Sequence, residues 1–243
     1  RLTMPPVFEN EQAARVALVA TARALGPADL NAGRAGNLSV RWHRGGRDGL
    51  LLTPSAIDYE RMEEDDIVWL PFMPDLGAGS DDTLADPPEW HGPRRPSSEW
   101  RLHHDLQLAQ PGIGAVIHVH SPWATTLACL EQVQREGVPA FHYMIAVAGG
   151  DSIPCAPYEP FGSARLSAAT LAVMRDRRAC LLANHGMLAA GPTLRASLEL
   201  ALHVEWLCRV YAQALNCGAP VLLDAARMQD ALARFGRYRP DPG

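Results

Sequence analysis

Two histidines separated by one residue, His118 and His120, are the residues whose types and spacing point most directly to chemistry. They lie in residues 115–122, where apolar β-formers alternate with the two imidazoles before a Ser-Pro pair. Because successive side chains of a strand point to opposite faces, we expect both imidazoles on one face and Ile117 and Val119 on the other. Two imidazoles at a strand end form part of a divalent metal site, and a catalytic zinc typically takes three protein ligands.

A third ligand and an acid or base are needed to complete such a site. His185 is the candidate ligand because it follows an apolar strand pattern and precedes a glycine. Glu99 is the acid–base candidate. The alternative is that the histidines are unrelated polar residues at strand ends, and that Glu99 only stabilises a helix N-terminus, by about 0.3–1 kcal/mol. The residue pattern alone leaves both interpretations open.

An anion site is a further hypothesis. Ser55, Ser97, Ser98 and the backbone amides after Gly36 could bind an anion, since helix N-termini and glycine-rich turns present unpaired N–H groups. Each of these residues also suits a helix cap or a turn, so the alternative stays open. His103 and His104 are adjacent in a predicted helix and cannot face one centre together, so we assign both of them structural roles.

The hydrophobic periodicity predicts the elements that must position these residues. Helices are predicted over residues 9–25, 97–110, 122–130, 165–176, 193–215 and 224–235, with serine or threonine as the N-cap of four of them. Strands are predicted near residues 37–41, 49–53, 66–70, 115–120, 141–148, 179–182 and 187–190. This order predicts an α/β fold with a central, mostly antiparallel or mixed sheet and helices on both faces.

Residues 71–96 differ from the rest of the chain. They contain six prolines and clustered acidic residues, and they have neither a helical nor a strand period. We interpret them as a long loop or lid. Because the residues that follow continue the same site, we expect this loop to be an insertion in a single domain of residues 1–243.

The composition excludes several classes of protein. Of the 243 residues, 47% are hydrophobic and 20% are charged, which is typical of globular proteins. A net charge of −5 argues against general binding of nucleic acid or of anionic membranes. No apolar run approaches the ~20 residues of a membrane helix, and we see no secretory signal pattern. Five cysteines without a CxxC pair favour a reduced, cytoplasmic protein.

Five short motifs occur in one order along the chain: Gly36-Asn37-Leu38-Ser39, Thr53-Pro54-Ser55, Pro96-Ser97-Ser98-Glu99, His118-x-His120 and Asn184-His185-Gly186. In this order and approximate spacing they resemble the class II aldolase/adducin family. Residues 141–146 and 149–158 look like the corresponding segments of its L-fuculose-1-phosphate aldolases. The resemblance covers the chain except for residues 71–91. Any one motif is short, whereas five in order strongly favour the metal interpretation.

The resemblance implies roles for individual residues. His118, His120 and His185 match three histidines that hold zinc, with manganese or cobalt as alternatives. Glu99 matches a carboxylate that can ligate the empty metal and, once substrate binds, moves a proton to and from the enediolate carbon. Tyr143 matches a tyrosine that reaches in from a neighbouring subunit and protonates the aldehyde's oxygen.

The implied reaction is the reversible cleavage of a ketose 1-phosphate, such as L-fuculose 1-phosphate, into dihydroxyacetone phosphate and an aldehyde. The metal would act as a Lewis acid on the substrate's oxygens. The resemblance also implies a homotetramer with active sites between subunits. The residues that match the family's phosphate and substrate contacts, including a C-terminal tyrosine that closes over the site, are Gly36, Asn37, Ser55, Ala56, Ser97, Ser98 and Tyr238.

Two departures from the family pattern bear on the substrate. Ala56 stands where the phosphate turn usually has glycine, so its methyl group either crowds the phosphate or requires a positive φ that only glycine adopts freely. The connection over residues 71–96 is longer than usual and enters the helix that carries Glu99.

Three alternative functions remain open for this fold. Two are enzymes, a sugar-phosphate 4-epimerase and a methylthioribulose-phosphate dehydratase. Such epimerases carry aspartate where this chain has Glu99 and differ around Tyr143, which argues against the first. The third is a non-catalytic, adducin-like interaction domain, which has no need of three metal ligands with an acid beside them.

Overall fold

The structure is a computed structural model that describes residues 8–31, 35–76 and 84–237. Its α-helices are α1 (Glu11–Leu25), α2 (Trp100–Ala109), α3 (Pro122–Ala128), α4 (Glu131–Glu136), α5 (Ala164–Met174), α6 (Leu194–Cys217) and α7 (Ala225–Arg237). Its strands are β1 (Asn37–Arg44), β2 (Arg47–Leu52), β3 (Val68–Pro71), β4 (Ala115–Val119), β5 (Cys155–Ala156), β6 (Ala179–Leu182) and β7 (Gly186–Gly191). Short 3-10 helices lie at Tyr59–Arg61, Glu64–Asp66, Pro74–Leu76 and Tyr143–Ala148.

One mixed sheet of seven strands, in the order β3-β2-β1-β4-β7-β6-β5, organises the fold. The pair β5–β6 is parallel and the other neighbouring pairs are antiparallel, which confirms the predicted fold class. Strand β4 lies between β1 and β7. Its His118 stands opposite Asn37 of β1 and Leu188 of β7, so this register fixes which side chains flank the imidazole.

Helices cover both faces of the sheet. Ile117 and Val119 of β4 belong to a core cluster that includes residues of α1, α3 and α6. Val116 belongs to a second cluster with residues of α2 and α5 on the opposite face. His118 shares the face of Val116 because side chains alternate along the strand, so its imidazole points toward the layer that contains α2.

The predicted caps of two helices are present. The hydroxyl of Ser163 accepts a hydrogen bond of 3.1 Å from the backbone N–H of Leu166 in α5, and Thr193 bonds in the same way to Ala196 in α6. Ser121 occupies the N-cap of α3 without capping it through its side chain. Instead Glu205 of α6 accepts hydrogen bonds from the Ser121 hydroxyl and from two backbone N–H groups of α3. This carboxylate therefore anchors the turn that follows His120.

The structure corrects two predicted elements. Residues 141–148 are not a strand; they contain the 3-10 helix Tyr143–Ala148, and the His142 ring accepts a hydrogen bond from the N–H of Met144 at its start. Short apolar runs do not distinguish the two forms by periodicity. Helix α2 begins at Trp100 with Glu99 at the N-cap, so Ser97 and Ser98 precede it. The Ser97 hydroxyl instead accepts a bond from the N–H of Glu99.

The predicted loop at 71–96 lies partly outside the described residues, which omit 77–83. Its described part begins in β3 and the 3-10 helix Pro74–Leu76. Residues 84–96 form isolated bridges from His91 to Trp69 and from Pro96 to Pro54, and no helix or named strand. Within the described ranges, no helix has both the length and the apolar character to cross a membrane.

Candidate metal centre and substrate cleft

The end of one strand and one turn bring the three candidate histidines together. His118 lies in β4, His120 directly follows that strand, and His185 lies in the turn between β6 and β7. Gly186 permits this approach, because a Cβ there would meet the backbone oxygen of Val119 at 2.5 Å and the His120 ring at 3.0 Å. The glycine after His185 therefore allows the turn to pack against the end of β4.

The three imidazoles and Glu99 form one compact cluster. The ring centroids are 4.7–4.9 Å apart, and the Nε2 atoms of His118 and His120 are separated by 3.0 Å. Oε2 of Glu99 lies 3.1 Å from Nε2 of His118, and Oε1 of Glu99 lies 3.3 Å from Nε2 of His185. One ligand atom from each of the four residues lies within 4.8 Å of the others. A cation about 2.0–2.2 Å from nitrogen and oxygen ligands fits such a spacing.

Two details of the donor set also fit a cation. Nδ1 of His118 lies 2.9 Å from the Met187 carbonyl oxygen, which only accepts, so Nδ1 carries a proton and Nε2 faces the cluster. Oε1 of Glu99 is buried and makes no hydrogen bond with any described residue. A buried carboxylate oxygen without a donor is costly unless a positive partner binds it.

Burial sets the protonation state of the outer histidines. It lowers the pKa of His120 to about 4 and of His185 to about 3, so both imidazoles are neutral at neutral pH, the form that binds metals. Burial would also lower the pKa of His118 and raise that of Glu99. Their mutual attraction outweighs burial in both residues, so the pKa of His118 is raised and that of Glu99 lies well below its ordinary value. A bound cation would therefore compete with a proton for Nε2 of His118.

A cleft of about 340 Å³ extends from this cluster. Glu99, His120 and His185 are part of its lining. The described residues that were predicted to contact phosphate or substrate also line it: Gly36, Asn37, Ser55, Ala56, Ser97 and Ser98. The structure thus brings the predicted anion site and the predicted metal ligands into one cleft.

Backbone pairing holds the two hydroxyl-bearing turns side by side. The N–H of Ser97 donates to the Thr53 carbonyl over 3.2 Å, and the N–H of Ser55 donates to the Arg95 carbonyl over 3.0 Å. Gly36 packs against the end of β4, where a Cβ would meet the His118 carbonyl oxygen at 2.9 Å. These contacts fix the cleft wall relative to the histidines.

Tyr143 lies apart from this cleft. Its side chain is 53% exposed and its ring stacks on Phe235 of α7, with centroids 6.1 Å apart. It is not among the described residues that line the cleft. Tyr238, the other tyrosine named from the sequence, lies outside the described residues.

The sequence analysis missed two groups of residues around the site. Tyr158 and Phe161 line the cleft and are mostly exposed, but they follow the two-residue strand β5, which is too short to leave a periodic signal. His103 was assigned only a structural role, yet its Nε2 lies 2.5 Å from Oδ1 of Asn37, which contacts Glu99. The spacing of His103 four residues after Glu99, one helical turn, was the available signal.

The chain matches the family described as "Class II Aldolase and Adducin N-terminal domain" over residues 16–212. The chain belongs to the class II aldolase and adducin family. It is 45% identical to the 5-methylthioribulose-1-phosphate/5-deoxyribulose-1-phosphate aldolase of Rhodospirillum rubrum, over 93% of this chain and 92% of that protein. It is 38% identical to the L-fuculose phosphate aldolase of Escherichia coli K12, over 86% of this chain and 87% of that one.

A solved structure supports the same assignment. An L-fuculose 1-phosphate aldolase superposes with a TM-score of 0.79 at 36% identity, over 91% of this chain and 95% of that one. The resemblance inferred from the five motifs is therefore confirmed, and this family member is related to lyases. Its cluster of three histidines and one glutamate could hold the divalent metal that class II aldolases use.

Ala56 carries the strain that the sequence predicted for this family member. Its φ is 57°, in the left-handed region that favours glycine. Ala56→Gly would relieve about 1–2 kcal/mol of strain and lose about 0.4–1 kcal/mol through unfolded-state entropy, so we expect the free energy of unfolding to rise by about 1 kcal/mol. Chemical denaturation measures this change. The matched control is Ala20→Gly, within helix α1, which should lower the free energy of unfolding by about 1 kcal/mol. A lower free energy of unfolding in Ala56→Gly would contradict the prediction.

Proposed function

We propose that the chain is a metal-dependent aldolase that reversibly cleaves a ketose 1-phosphate into dihydroxyacetone phosphate and an aldehyde. The observation that carries the proposal is the convergence of His118, His120, His185 and Glu99 at one end of a cleft whose other lining includes three serines. The donor set of three nitrogens and one carboxylate suits zinc, and manganese or cobalt would be accepted by the same ligands.

A cation held by the three imidazoles and Glu99 would supply Lewis-acid polarisation of the substrate's carbonyl and hydroxyl oxygens. Glu99 moves a proton to and from the carbon of the dihydroxyacetone phosphate fragment at which the carbon–carbon bond breaks. Its burial and its hydrogen bond from Asn37 hold the carboxylate beside His118 and His185. Ser55 and Ser98 bind the phosphate through their hydroxyls. Tyr143, supplied by a neighbouring subunit, takes the proton from the hydroxyl that becomes the aldehyde when the bond breaks, and returns it to the aldehyde's oxygen when the bond forms.

The substrate class follows from the relatives and the cleft. The proposed substrate class comprises L-fuculose 1-phosphate, 5-deoxyribulose 1-phosphate and 5-methylthioribulose 1-phosphate. Because identity to the Rhodospirillum rubrum relative is higher, the two ribulose phosphates are favoured. Fuculose, 5-deoxyribulose and methylthioribulose all end in a methyl or methylthio group. The exposed aromatic side chains of Tyr158 and Phe161 offer such a group an apolar wall.

A substrate panel tests the reaction class. L-fuculose 1-phosphate, 5-deoxyribulose 1-phosphate and 5-methylthioribulose 1-phosphate are incubated with zinc-loaded protein, and dihydroxyacetone phosphate is measured with a coupled dehydrogenase. We expect its release together with one equivalent of aldehyde. An epimer or a dehydrated product without dihydroxyacetone phosphate would establish one of the alternative enzymes. Tight metal binding with no turnover of any ketose phosphate would favour the adducin-like scaffold.

Ser98→Ala tests the phosphate site. Loss of a hydrogen bond to a charged group costs about 1.5–3 kcal/mol, so we expect the apparent KM to rise by about 10–100-fold while zinc content stays unchanged. Steady-state kinetics and metal analysis measure the two quantities. Ser152→Ala, at a serine that does not line the described cleft, is the control and should leave KM unchanged. An unchanged KM in Ser98→Ala would remove this serine from the phosphate site.

The proposal extends to assembly and location. We infer a homotetramer with sites between subunits, because Tyr143 is exposed outside its own cleft. We infer one domain over residues 1–243, with an insertion near residues 71–96, because a single sheet runs across the described chain. Light scattering of the purified protein tests the tetramer.

The described cysteines are free thiols, which favours the cytoplasm.

A further inference from the structure

We propose that His103 is a positioning residue, which acts through Asn37 to fix the orientation of the Glu99 carboxylate at the candidate metal centre. The inference rests on the proposed function for its kinetic consequences, but the hydrogen-bond arrangement it describes can be tested without turnover. It concerns a buried polar relay, defined by Glu99, Asn37, His103, Ser39 and Gln107, that lies between helix α2 and strand β1.

Periodicity places the residues of the relay on the facing sides of helix α2 and strand β1. Glu99, His103 and Gln107 follow one another at four-residue intervals and therefore share one face of α2 and its cap. Asn37 and Ser39 are alternate residues of β1 and share one face of the sheet. All five are at least 95% buried, so bulk water does not satisfy their polar groups.

The hydrogen bonds cross between helix and strand four times. Nδ2 of Asn37 lies 3.0 Å from Oε2 of Glu99, and Oδ1 of the same amide lies 2.5 Å from Nε2 of His103. Nδ1 of His103 then lies 2.7 Å from Oγ of Ser39. That hydroxyl oxygen lies 2.6 Å from Nε2 of Gln107. Each side chain inside the relay thus contacts one partner on either side.

The donor and the acceptor of every hydrogen bond in the relay can be assigned by starting from Glu99. An ionised carboxylate only accepts, so Asn37 must donate its Nδ2–H and present Oδ1 to His103. His103 must therefore donate from Nε2. Burial lowers its pKa to about 3, so the ring is neutral and Nδ1 is a bare acceptor. Ser39 then donates its only hydroxyl proton to Nδ1, and its oxygen accepts from Gln107.

This polarity gives His103 a specific task. A histidine that donates from Nε2 holds the Asn37 amide so that its N–H, and not its oxygen, faces Glu99. If the amide turned over, its oxygen would face a carboxylate oxygen, which is repulsive in a buried site. His103 therefore keeps Glu99 in a single orientation, toward His118 and His185. Partners of this kind, one contact removed from a metal ligand, typically contribute about 10–100-fold in metal affinity or activity.

The neighbouring residue His104 is a matched control. It has the same side chain, lies in the same helix and is also completely buried. Its ring contacts a different part of the molecule: Nε2 accepts from the N–H of Met73, and Nδ1 bonds to the Asp105 carboxylate. Substitution of His104 therefore disturbs the packing of α2 to a similar extent without touching the relay.

The kinetic experiment compares zinc-loaded wild type, His103→Leu, His103→Gln and His104→Leu. We expect His103→Leu to lower kcat by about 10–100-fold with KM within about threefold of wild type. His103→Gln should recover most of kcat, because the glutamine amide can place an N–H donor near the former Nε2. His104→Leu should lose stability but keep kcat. Equal losses of kcat in His103→Leu and His104→Leu, or no rescue by glutamine, would overturn the proposal.

A spectroscopic readout works on the unmodified protein, with or without aldolase activity. Nitrogen NMR of wild type labelled at histidine should identify His103 as neutral, with its proton on Nε2 and an exchange-protected N–H. Zinc affinity, measured by chelator competition, should fall in folded His103→Leu and not in His104→Leu. A proton on Nδ1 of His103 in the wild type would overturn the relay directly, even if no variant folds.

Discussion

Glu99→Gln is expected to retain one zinc per chain and to lose nearly all turnover. The amide is isosteric with the carboxylate but does not accept a proton at the pH of the reaction, and a positioned acid–base group contributes about 10²–10⁴-fold to a rate. The three imidazoles remain to hold the cation, so we expect kcat to fall by that factor with one metal per chain retained. Substrate cleavage and metal content, measured on the same preparation, test both halves of this expectation.

The outcomes separate two roles of Glu99. If the variant loses the metal as well as turnover, the carboxylate acts chiefly as a ligand. If kcat stays within about threefold of wild type with the metal bound, another group moves the proton and the acid–base role proposed for Glu99 is wrong. Exchange of solvent deuterium into dihydroxyacetone phosphate gives a sharper measurement, because it follows only the proton transfer and should be lost in Glu99→Gln.

Removal of the cation with a chelator should abolish turnover, and added zinc should restore it. The imidazoles and the carboxylate are gathered in a buried cluster in which Oε1 of Glu99 has no hydrogen-bond partner among the described residues. A cation that binds only the folded state also raises stability, by about 2.7 kcal/mol when its concentration is a hundred times Kd. We therefore expect a zinc-dependent rise in Tm alongside the restored activity.

Turnover assays and thermal unfolding of chelated and reloaded protein test this prediction. His203→Ala, at an exposed histidine of α6, is the control and should respond to chelation and reloading as the wild type does. Full activity in protein proven free of metal would contradict the proposed mechanism. An unchanged Tm on addition of zinc would argue that the cluster does not bind the cation in the folded state.

Much of this site could be predicted because its residues lie in locally determined segments. The period of β4 placed His118 on the face opposite Ile117, and the structure confirms that division. The local pattern made His185 a candidate ligand, but its convergence with His118, 67 positions earlier by residue number, was implied by the resemblance. Long-range pairing such as that of β4 with β7 depends on the whole sheet.

Other features depended on contacts that a single sequence does not reveal. Residues 141–148 are as apolar as a strand, but they pack against α6 and α7 as a 3-10 helix. The positive φ of Ala56 was predictable only because the resemblance identified a turn that normally requires glycine. The relay through His103 needs both the helical spacing of α2 and the register of β1. The local sequence of α2 does not indicate that it contacts β1, and that of β1 does not indicate that it contacts α2.

The most direct test of the central claim is the number of cations bound per chain. Elemental analysis of zinc-loaded, dialysed wild type and His185→Ala decides it, because the three imidazoles must act together to hold the cation. We predict one equivalent in the wild type and far less than one in the variant, with both proteins folded. One full equivalent in His185→Ala, or none in the wild type, would contradict a metal centre built from these residues.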